Sequence, residues 1–551
     1  MFRESPSSIQ HDLFTSIQTL LSGKSLKMYD DQCAWHNEFR KQVTMRIDEQ
    51  IFGPLYSQGK GSPNASIRVM IAMMVLKEAQ GLSDEKLFED CRFNMLTRSA
   101  AGLLKVDDAV PTESTYYLFR KQVAEYAKQG NGNLFDLVFS QISKDQCVEF
   151  DVSGKRVRMD SKLLGSNIAW LSRYELVHET LRLFYKQIKG SADLGKVTEG
   201  KLDKLLKLKG NKVVYTLSTE DVKTRFVELG QVISEVLPLF SNNQTCAYKT
   251  LGQVFEEQFE VSGDKTVLVR KKESISAKSI QSPHDTDCHY RDKDGNKVKG
   301  YSMNVTESCD DDKGLNLIGS IDVKPVSTSD VGFFEDGIKK SQEVFCDKTE
   351  NVHADGAYHS PGNQQYCTDN DIDLHLHAIQ GAKGRYVLTV LKDGSLSVLD
   401  TKTNDQMEAI KIKGKNDIEK WRVKTSSGYR YFTQKNIGTA ILRKKIEQEP
   451  IEVLQKRNNV EATIFQIGYH YPNAKSRYRG LNKHQMWANI RCLWVNFARI
   501  LKYSTNQGKQ TSCFGKLMVK LFFITAITSQ VMQVLKSKTL FRTKYRIIDF
   551  A

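Results

Sequence analysis

Three acidic residues lie where the sequence changes from one type of element to another. Asp160 follows the alternating run KRVRM, Asp355 follows a strand-like run and precedes a glycine, and Glu461 lies four residues after Arg457 in a helical segment. Carboxylates that converge from different elements can hold two divalent ions about 4 Å apart and support in-line displacement at phosphorus. Mg²⁺ suits such a site because it leaves positions for phosphate oxygens. Spacing alone does not single these three out from the 65 acidic residues, each of which is more simply a surface charge or a cap.

Other reaction chemistries have weaker support in the sequence. There is no G-x-x-x-x-G-K-[ST] motif, no dinucleotide-binding fingerprint, no G-x-S-x-G and no H-E-x-x-H, so a nucleotide cofactor is not expected. His375 and His377 alternate along a strand-like run, and His284, Cys288 and His289 are clustered in sequence. A metal site at either place would need further ligands, so core or solvated histidines are the favoured interpretation.

Basic charge is concentrated at the C-terminal end of the chain. The 551 residues carry a formal net charge of +15, and residues 462–551 contain fifteen lysines and arginines against one acid, Asp549. Such a surface favours a polyanionic partner, nucleic acid first and an anionic membrane second. The apolar stretch Leu517–Leu535 is interrupted by Lys520, Gln530 and Gln533, which favours a buried helix over a membrane span.

The N-terminal segment and the cysteines indicate the cellular compartment of the protein. The N-terminus has no basic and apolar signal segment, and the ten cysteines include no C-x-x-C pair. Reduced thiols without an export signal indicate a cytoplasmic protein, associated with the nucleoid when it is bound to DNA.

The periodicity predicts a mixed α/β chain. Helical patterns fill the region before residue 150, where Ser83 is a predicted N-cap; a helix-turn-helix fits them, but a plain helical bundle fits as well. The run KRVRMDSKLLG predicts a half-buried strand that ends at Asp160, and Asp294-Gly295 predicts a hairpin. A small antiparallel sheet is predicted between Gly384 and Gln434, and helices return after it.

Several segments, taken in order from about Gly61 to about Arg499, resemble one family. They are SPNASIRVMIAMMVLKEAQGLSDEKLFEDC, VPTESTYYLFRKQ, RMDSKLLGSNIAW, IQSPHDTDCHYRDK with GYSMN, HADGAYHSP, RNNVEATIFQIG and SRYRGLNKHQMWANIRCLWVNFARI. Each is weak alone, but together they resemble bacterial insertion-sequence transposases with a DDE catalytic triad, of the longer form with an N-terminal helical DNA-binding domain.

The resemblance implies a fold and a division into domains. The fold is α/β, with an RNase H-like (retroviral-integrase-like) catalytic core that carries helical and antiparallel β insertions and follows an all-α N-terminal domain. The implied domains are a helical DNA-binding domain over 1–150, the catalytic core over 151–480 and a basic helical segment over 481–551. The helical insertion would cover about 162–280 and the β insertion about 380–440.

The resemblance also implies a function and roles for residues. The protein would bind the terminal inverted repeats of its element as a homodimer on double-stranded DNA, hydrolyse a phosphodiester at each end and transfer the strand to target DNA. Asp160, Asp355 and Glu461 would be catalytic and would bind two Mg²⁺ ions, with Mn²⁺ as an alternative. The implied DNA contacts are Arg457, Lys475, Arg477, Arg479, Arg68, Arg120 and Lys121.

The chain departs from the family pattern at two positions, and alternatives stay open. Leu454 and Gly468 stand where relatives have Tyr and Lys, and Lys475 or His470 could substitute for the latter. Asp322 and Asp330 compete with Asp355 for the second catalytic place. Two other functions fit the same sequence: an inverted-repeat-binding protein without catalysis, or a structure-specific RNase H-like nuclease.

Overall fold

A computed structural model describes residues 1–5, 15–57, 59, 61–264, 266–293, 295–310, 314–378, 384–391, 395–413, 419–425, 428–470 and 475–507. By its internal contacts the chain divides into two compact units. The first comprises residues 1–152, 310–318 and 489–551, and the second comprises residues 153–309 and 319–488. The predicted apolar helix over Leu517–Leu535, and the C-terminal segment beyond residue 507, lie outside the described residues.

The first unit is helical, as the sequence predicts before residue 150. Its helices are α1 (Gly23–Asp30), α2 (Trp35–Gln42), α3 (Ile67–Gln80), α4 (Asp84–Phe93), α5 (Met95–Ala101), α6 (Glu113–Tyr126) and α7 (Leu134–Phe150). The predicted cap is confirmed, because the Ser83 hydroxyl accepts a hydrogen bond from the backbone N–H of Lys86 at 3.1 Å. Helix α3 is buried on nearly all sides, which explains why its sequence is apolar almost throughout.

The second unit combines strands with helices. Its strands are β1 (Arg156–Gly165), β2 (Phe259–Val261), β3 (Val267–Val269), β4 (His289–Lys293), β5 (Asn296–Ser308), β6 (Ile318–Pro325), β7 (Asn351–Ala354), β8 (Asp373–Leu376), β9 (Tyr386–Val390), β10 (Leu396–Asp400), β11 (Gln406–Lys413), β12 (Glu419–Thr425) and β13 (Gly428–Thr433). Its helices are α8 (Arg173–Ile188), α9 (Lys196–Leu206), α10 (Gly210–Thr216), α11 (Thr219–Leu239), α12 (Cys246–Gln258), α13 (Phe334–Phe345), α14 (Pro361–Asp369), α15 (Gln434–Gln448), α16 (Ile451–Gln455), α17 (Asn458–Ile467) and the first residues of α18 (Leu481–Gln507).

A mixed six-stranded sheet organises the second unit. Its order is β4-β5-β1-β7-β8, and β6 also pairs with β5. Strand β1 runs parallel to β7 and antiparallel to β5, and β7 runs parallel to β8. Residue 300 has to be glycine, because a Cβ there would stand 2.1 Å from the carbonyl oxygen of Leu164. The predicted hairpin is present, with Lys293 opposite Asn296 and Gly295 at a φ of 80°.

The prediction that the first strand ends at Asp160 is wrong. Strand β1 continues to Gly165, because β5 pairs with it along its whole length up to Gly300. The parallel neighbour β7 pairs only with the first residues of β1 and ends at Ala354. Asp160 therefore lies in the middle of β1, at the point where the sheet loses its neighbour on one side.

Two further groups of elements belong to this unit: α8–α12, which lie between β1 and β4 in sequence, and β9–β13, which follow β8. Helices α8–α12 form a separate hydrophobic core that includes Leu181, Phe184, Leu229, Ile233 and Leu251. Strands β9–β13 form a five-stranded antiparallel sheet between Tyr386 and Thr433, and one face of it packs against α15. No helix in the described part of the chain is long and apolar enough to cross a bilayer.

Candidate active site

Asp160 presents its carboxylate from the middle of β1. Its side chain is 14% exposed. One oxygen accepts from the backbone N–H of Ser161 at 2.8 Å, and the other accepts from the Arg457 guanidinium at 3.1 Å. Burial raises the pKa of Asp160; Arg457 opposes this shift and the charge of Asp355 adds to it. The carboxylate is thus partly desolvated and has a cation on one side and a second acid on the other.

Asp355 lies directly after the end of the neighbouring strand β7. In the parallel ladder Arg158 stands beside His353, so Asp160 lies two residues further along β1 and Asp355 lies two residues after His353 in the chain. The backbone N–H of Gly356 donates to Asp355 at 2.6 Å, and Asp355 caps the short 3-10 helix Gly356–Tyr358. The end of β7 and the turn after it therefore fix the second carboxylate beside the first.

Glu461 and Arg457 approach from α17 and the turn before it. The sequence suggests one continuous helix here, but the structure breaks it between α16 and α17. The carbonyl of Lys456, in the break, accepts from Arg158 at 3.1 Å. One guanidinium nitrogen of Arg457 lies 3.1 Å from Asp160 and 3.2 Å from Glu461. The spacing of four residues thus places Arg457 and Glu461 in an ion pair, and the additional contact of Arg457 with Asp160 could not be predicted from that spacing.

A buried polar layer lies against the opposite side of β1. Ser161, whose side chain alternates with that of Asp160, donates its hydroxyl to Asp330 at 2.5 Å. Tyr358 is fully buried and donates to Asn304 at 2.5 Å. Burial raises the pKa of the Tyr358 hydroxyl well above its ordinary value, so this group stays a neutral hydrogen-bond donor.

The two competing aspartates have other partners. Asp322 on β6 is bonded to Lys340 of α13, and Asp330 accepts from Ser161 on the face of β1 opposite to Asp160. Asp355, in contrast, lies near enough to Asp160 to raise the pKa of that carboxyl. Arg457 thus links Asp160 to Glu461, and the strand register places Asp355 next to Asp160, whereas Asp322 is held by Lys340.

Sequence reasoning missed Lys162. It lies two residues after Asp160 on β1, half-buried, and burial lowers the pKa of its ammonium. Its Nζ lies 3.5 Å from the position that a Cβ would take at Gly468. The period of two along a strand was the available signal, because residues 160 and 162 must share a face.

The predicted basic contacts near residue 477 share one extended segment. Lys475 forms a bridge with Gly165, Ser476 N–H donates to Gly165 at 2.8 Å, and Arg479 donates to the carbonyl of Asn167 at 2.6 Å. Lys475, Arg477 and Arg479 are exposed, whereas the residues between them are buried. These three cations therefore point outward along the end of β1. Lys475 also donates to the carbonyl of Ile168 at 3.1 Å.

The predicted N-terminal contacts belong to the first unit. Arg68 is half-buried at the start of α3, and its backbone N–H donates to Glu49 at 2.6 Å. Arg120 lies 3.6 Å from Asp84 and stacks over the Tyr116 ring at 5.4 Å. Lys121 is exposed and lies 3.7 Å from Glu125. Their roles in DNA binding stay predictions.

The histidine clusters do not assemble a metal centre. His375 contacts Glu449 at 2.9 Å, His284 contacts Glu179 at 3.1 Å and His289 contacts Ser327 at 2.6 Å. In the described ranges no group of three or more His, Cys, Asp or Glu side chains is placed to hold a metal ion. Each of these three histidines instead has its own hydrogen-bond partner.

Comparison with known families gives a match in the first unit. Residues 28–122 match a family model described as "Transposase domain (DUF772)". The chain carries a transposase domain. This transposase domain begins near the end of α1, contains α2 to α5 and ends within α6. The expectation of a transposase, drawn from the sequence resemblance, is confirmed, and the insertion-sequence DDE class is consistent with it.

Comparisons beyond the transposase domain add little. No curated protein matches the chain. Among solved structures, a piggyBac transposase synaptic complex with hairpin DNA matches at 9% identity and a TM-score of 0.27, covering 94% of this chain and 83% of that one. At such a score the likeness carries no argument about fold or function.

Proposed function

We propose that the protein is a DDE-class DNA transposase of the insertion-sequence type, with Asp160, Asp355 and Glu461 as its catalytic carboxylates. One observation carries the proposal: Asp160 on β1 and Asp355, directly after the parallel strand β7, are neighbours by strand register, and Arg457 links Asp160 to a glutamate on a separate helix. The mixed sheet, with the first aspartate on its first strand, supports an RNase H-like core. The transposase domain in the first unit supports action on DNA.

The donor atoms are of a chemical type that suits a divalent metal, while in the described residues Asp160, Asp355 and Glu461 are not gathered into a three-ligand group. Asp160 and Asp355 offer hard oxygen ligands of the kind that Mg²⁺ and Mn²⁺ prefer. Burial raises the pKa of Asp160, and the charge of Asp355 adds to this shift. The Glu461 side chain is 61% exposed and rests on a single ion pair. When bound, two such ions would activate the attacking oxygen and stabilise the leaving oxygen. Asp160 and Asp355 would hold them, and Glu461 would complete the site.

The chain's own residues would position the DNA. Arg457 carries the charge that orients Asp160 and Glu461, and it lies where a phosphate at the carboxylates would also meet it. Lys475, Arg477 and Arg479 form an exposed basic edge that would follow the sugar-phosphate backbone. The first unit, with Arg68, Arg120 and Lys121, would bind the terminal inverted repeats, and a homodimer would bring two ends together in the cytoplasm.

Cleavage and joining of DNA test the proposal. The purified full chain is incubated with duplex DNA taken from both borders of its gene, in Mg²⁺ and in Mn²⁺. We expect wild type to cut and join, and Asp160→Asn and Asp355→Asn to lose about a thousandfold in rate, or about 4 kcal/mol in transition-state stabilisation, while still binding DNA. Asp322→Asn is the control, because it removes an aspartate that lies apart from the carboxylate group.

Each other result has a defined meaning. Loss of cleavage in Asp322→Asn, with cleavage kept in Asp355→Asn, would move the second carboxylate to β6. A wild-type protein that binds the borders but cuts with neither metal would identify a binding-only protein. Cutting without joining would identify a nuclease.

A further inference from the structure

Three residues on one face of β1 meet the α16–α17 region one after another. Arg158 donates to the carbonyl of Lys456 at 3.1 Å, and Asp160 accepts from Arg457 at 3.1 Å. Lys162, the next residue on this face, places its Nζ at Gly468, the C-cap of α17. The helix thus runs along this side of the strand from its beginning to its end.

The three residues differ in what they bind. Arg158 forms an ion pair with Glu307 at 2.6 Å, and Asp160 forms one with Arg457. Lys162 is half-buried, yet within the described residues no carboxylate lies within 4.0 Å of its ammonium and it donates no hydrogen bond. A half-buried ammonium loses part of its hydration, and a bound anion would supply the opposite charge that its described surroundings lack.

Gly468 keeps the ammonium accessible. A Cβ at residue 468 would stand in van der Waals contact with the Lys162 Nζ, at 3.5 Å, whereas glycine leaves that position open. The C-terminal end of α17 also attracts a cation weakly through the helix dipole. Stabilisation of this helix end is therefore the alternative, purely structural role of Lys162.

The place of Lys162 along the strand indicates a ligand. It lies about 7 Å beyond Asp160 along β1, given a rise of about 3.3 Å per residue. Three residues further, Gly165 pairs with Lys475, where the exposed basic edge of Lys475, Arg477 and Arg479 begins. Lys162 therefore stands between the carboxylates and this basic edge.

We propose that the Lys162 ammonium binds a non-bridging oxygen of a DNA phosphate next to the one held at Asp160 and Asp355. This inference rests on the proposed function and adds a residue to it. Lys162 would act as a point charge that fixes the backbone of the DNA strand between the reaction centre and the basic edge. Its contact would be independent of base sequence.

The test uses the salt dependence of DNA binding by the full chain. Lys162→Met keeps a chain of similar length and removes the charge. The matched control is Lys155→Met, because Lys155 is exposed, precedes the same strand and has its own partner, Glu350, at 3.5 Å. Affinity for the border duplex is measured by fluorescence anisotropy at several salt concentrations, without divalent metal, and thermal unfolding is measured for every variant.

Loss of one phosphate contact predicts a specific result. In Lys162→Met the slope of log K against log salt should fall in magnitude by about one, affinity should fall about tenfold, and the unfolding temperature should stay the same or rise. Lys155→Met should keep the wild-type slope.

Other results overturn the inference. An unchanged slope in Lys162→Met together with a lower unfolding temperature would assign Lys162 to the helix C-terminus alone. An equal fall in slope in both variants would show that Lys162 acts only through the net charge of the protein. Wild type that binds no DNA would overturn the proposed function as well, whereas binding with an unchanged slope overturns only the role of Lys162.

Discussion

Two ion pairs on the same face of β1 differ in how fully their charged groups are buried and hydrogen-bonded; we call the fully buried pair closed and the partly exposed pair open. Arg158 and Glu307 have side chains 3% and 0% exposed and lie 2.6 Å apart. The other oxygen of Glu307 accepts from Thr463 at 2.8 Å, and a second nitrogen of Arg158 donates to Lys456. This pair is surrounded by protein on all sides and has no capacity left for a ligand.

The pair two residues further along is open. Arg457 reaches Asp160 and Glu461 with one nitrogen, its Nε is buried without a hydrogen-bond partner, and Glu461 is largely exposed. Asp160 also has a second acid beside it. Both Arg158–Glu307 and Arg457–Asp160 are largely buried pairs of opposite charge, so burial and charge pairing alone do not mark a reactive site. Incomplete pairing of partly buried charges, beside solvent, marks it more specifically.

The largest expected effect on stability comes from opening the closed pair. Glu307→Gln leaves the Arg158 guanidinium buried beside a neutral group, so the free energy of unfolding should fall by about 3–5 kcal/mol. Urea denaturation at neutral pH measures this loss. The double variant Arg158→Met with Glu307→Leu should recover most of it, because no buried charge is then left unpaired. A loss below about 1 kcal/mol in Glu307→Gln would contradict the closed character of this pair.

A smaller effect on stability is expected when the pH is lowered. It arises at His484, near the start of α18, whose buried ring is hydrogen-bonded on both sides. Its Nδ1 lies 2.7 Å from the carbonyl of Gly480 and must donate, so its Nε2 accepts from Ser476 at 2.7 Å. Burial lowers the pKa of His484 from 6.5 to about 4, because the charged imidazolium is poorly solvated there, and the hydrogen bond to Gly480 opposes this shift only in part. Stability from this group is complete above pH 6.5 and is lost as the pH falls toward 4.

This contribution can be measured as a difference between two pH values. Between pH 7 and pH 5, wild type should lose about 2 kcal/mol more of its free energy of unfolding than His484→Gln does. The exposed His377 supplies the control, and His377→Gln should follow wild type. Equal pH dependence of His484→Gln and wild type would refute the assignment.

The smallest effect on stability belongs to the open pair. Glu461→Gln removes an ion pair whose acid is 61% exposed, so the free energy of unfolding should change by less than about 1 kcal/mol. DNA cleavage should nevertheless fall strongly if Glu461 is catalytic. Thermal unfolding and the cleavage assay are run on the same preparation. A variant that loses stability as Glu307→Gln does would make the two pairs alike and remove the contrast.

The sequence predicted those features that depend on neighbouring residues. Ser83 as a helix cap, the hairpin at Asp294-Gly295 and the antiparallel strands before Gln434 follow from local backbone preferences, and the structure contains them. The ion pair between Arg457 and Glu461 follows from helical spacing and is also present. The length of β1 was not predictable, because it depends on β5, which lies far along the chain.

The candidate site could be predicted from the sequence only in part. Its three acids could be selected by resemblance, but neither the contact between Arg457 and Asp160 nor the position of Lys162 beside Gly468 could be. Both depend on how α17 packs along β1. The Arg158–Glu307 pair likewise joins two strands whose register no local pattern specifies.

The types of element, the acids they carry and the basic character of the C-terminal end can be read from the residues, because each depends on positions close together in the chain. Which cation pairs with which carboxylate depends instead on the packing of distant segments. The physical reason is that strand register and helix packing bring together residues far apart in sequence, and small shifts there exchange a closed ion pair for an open one.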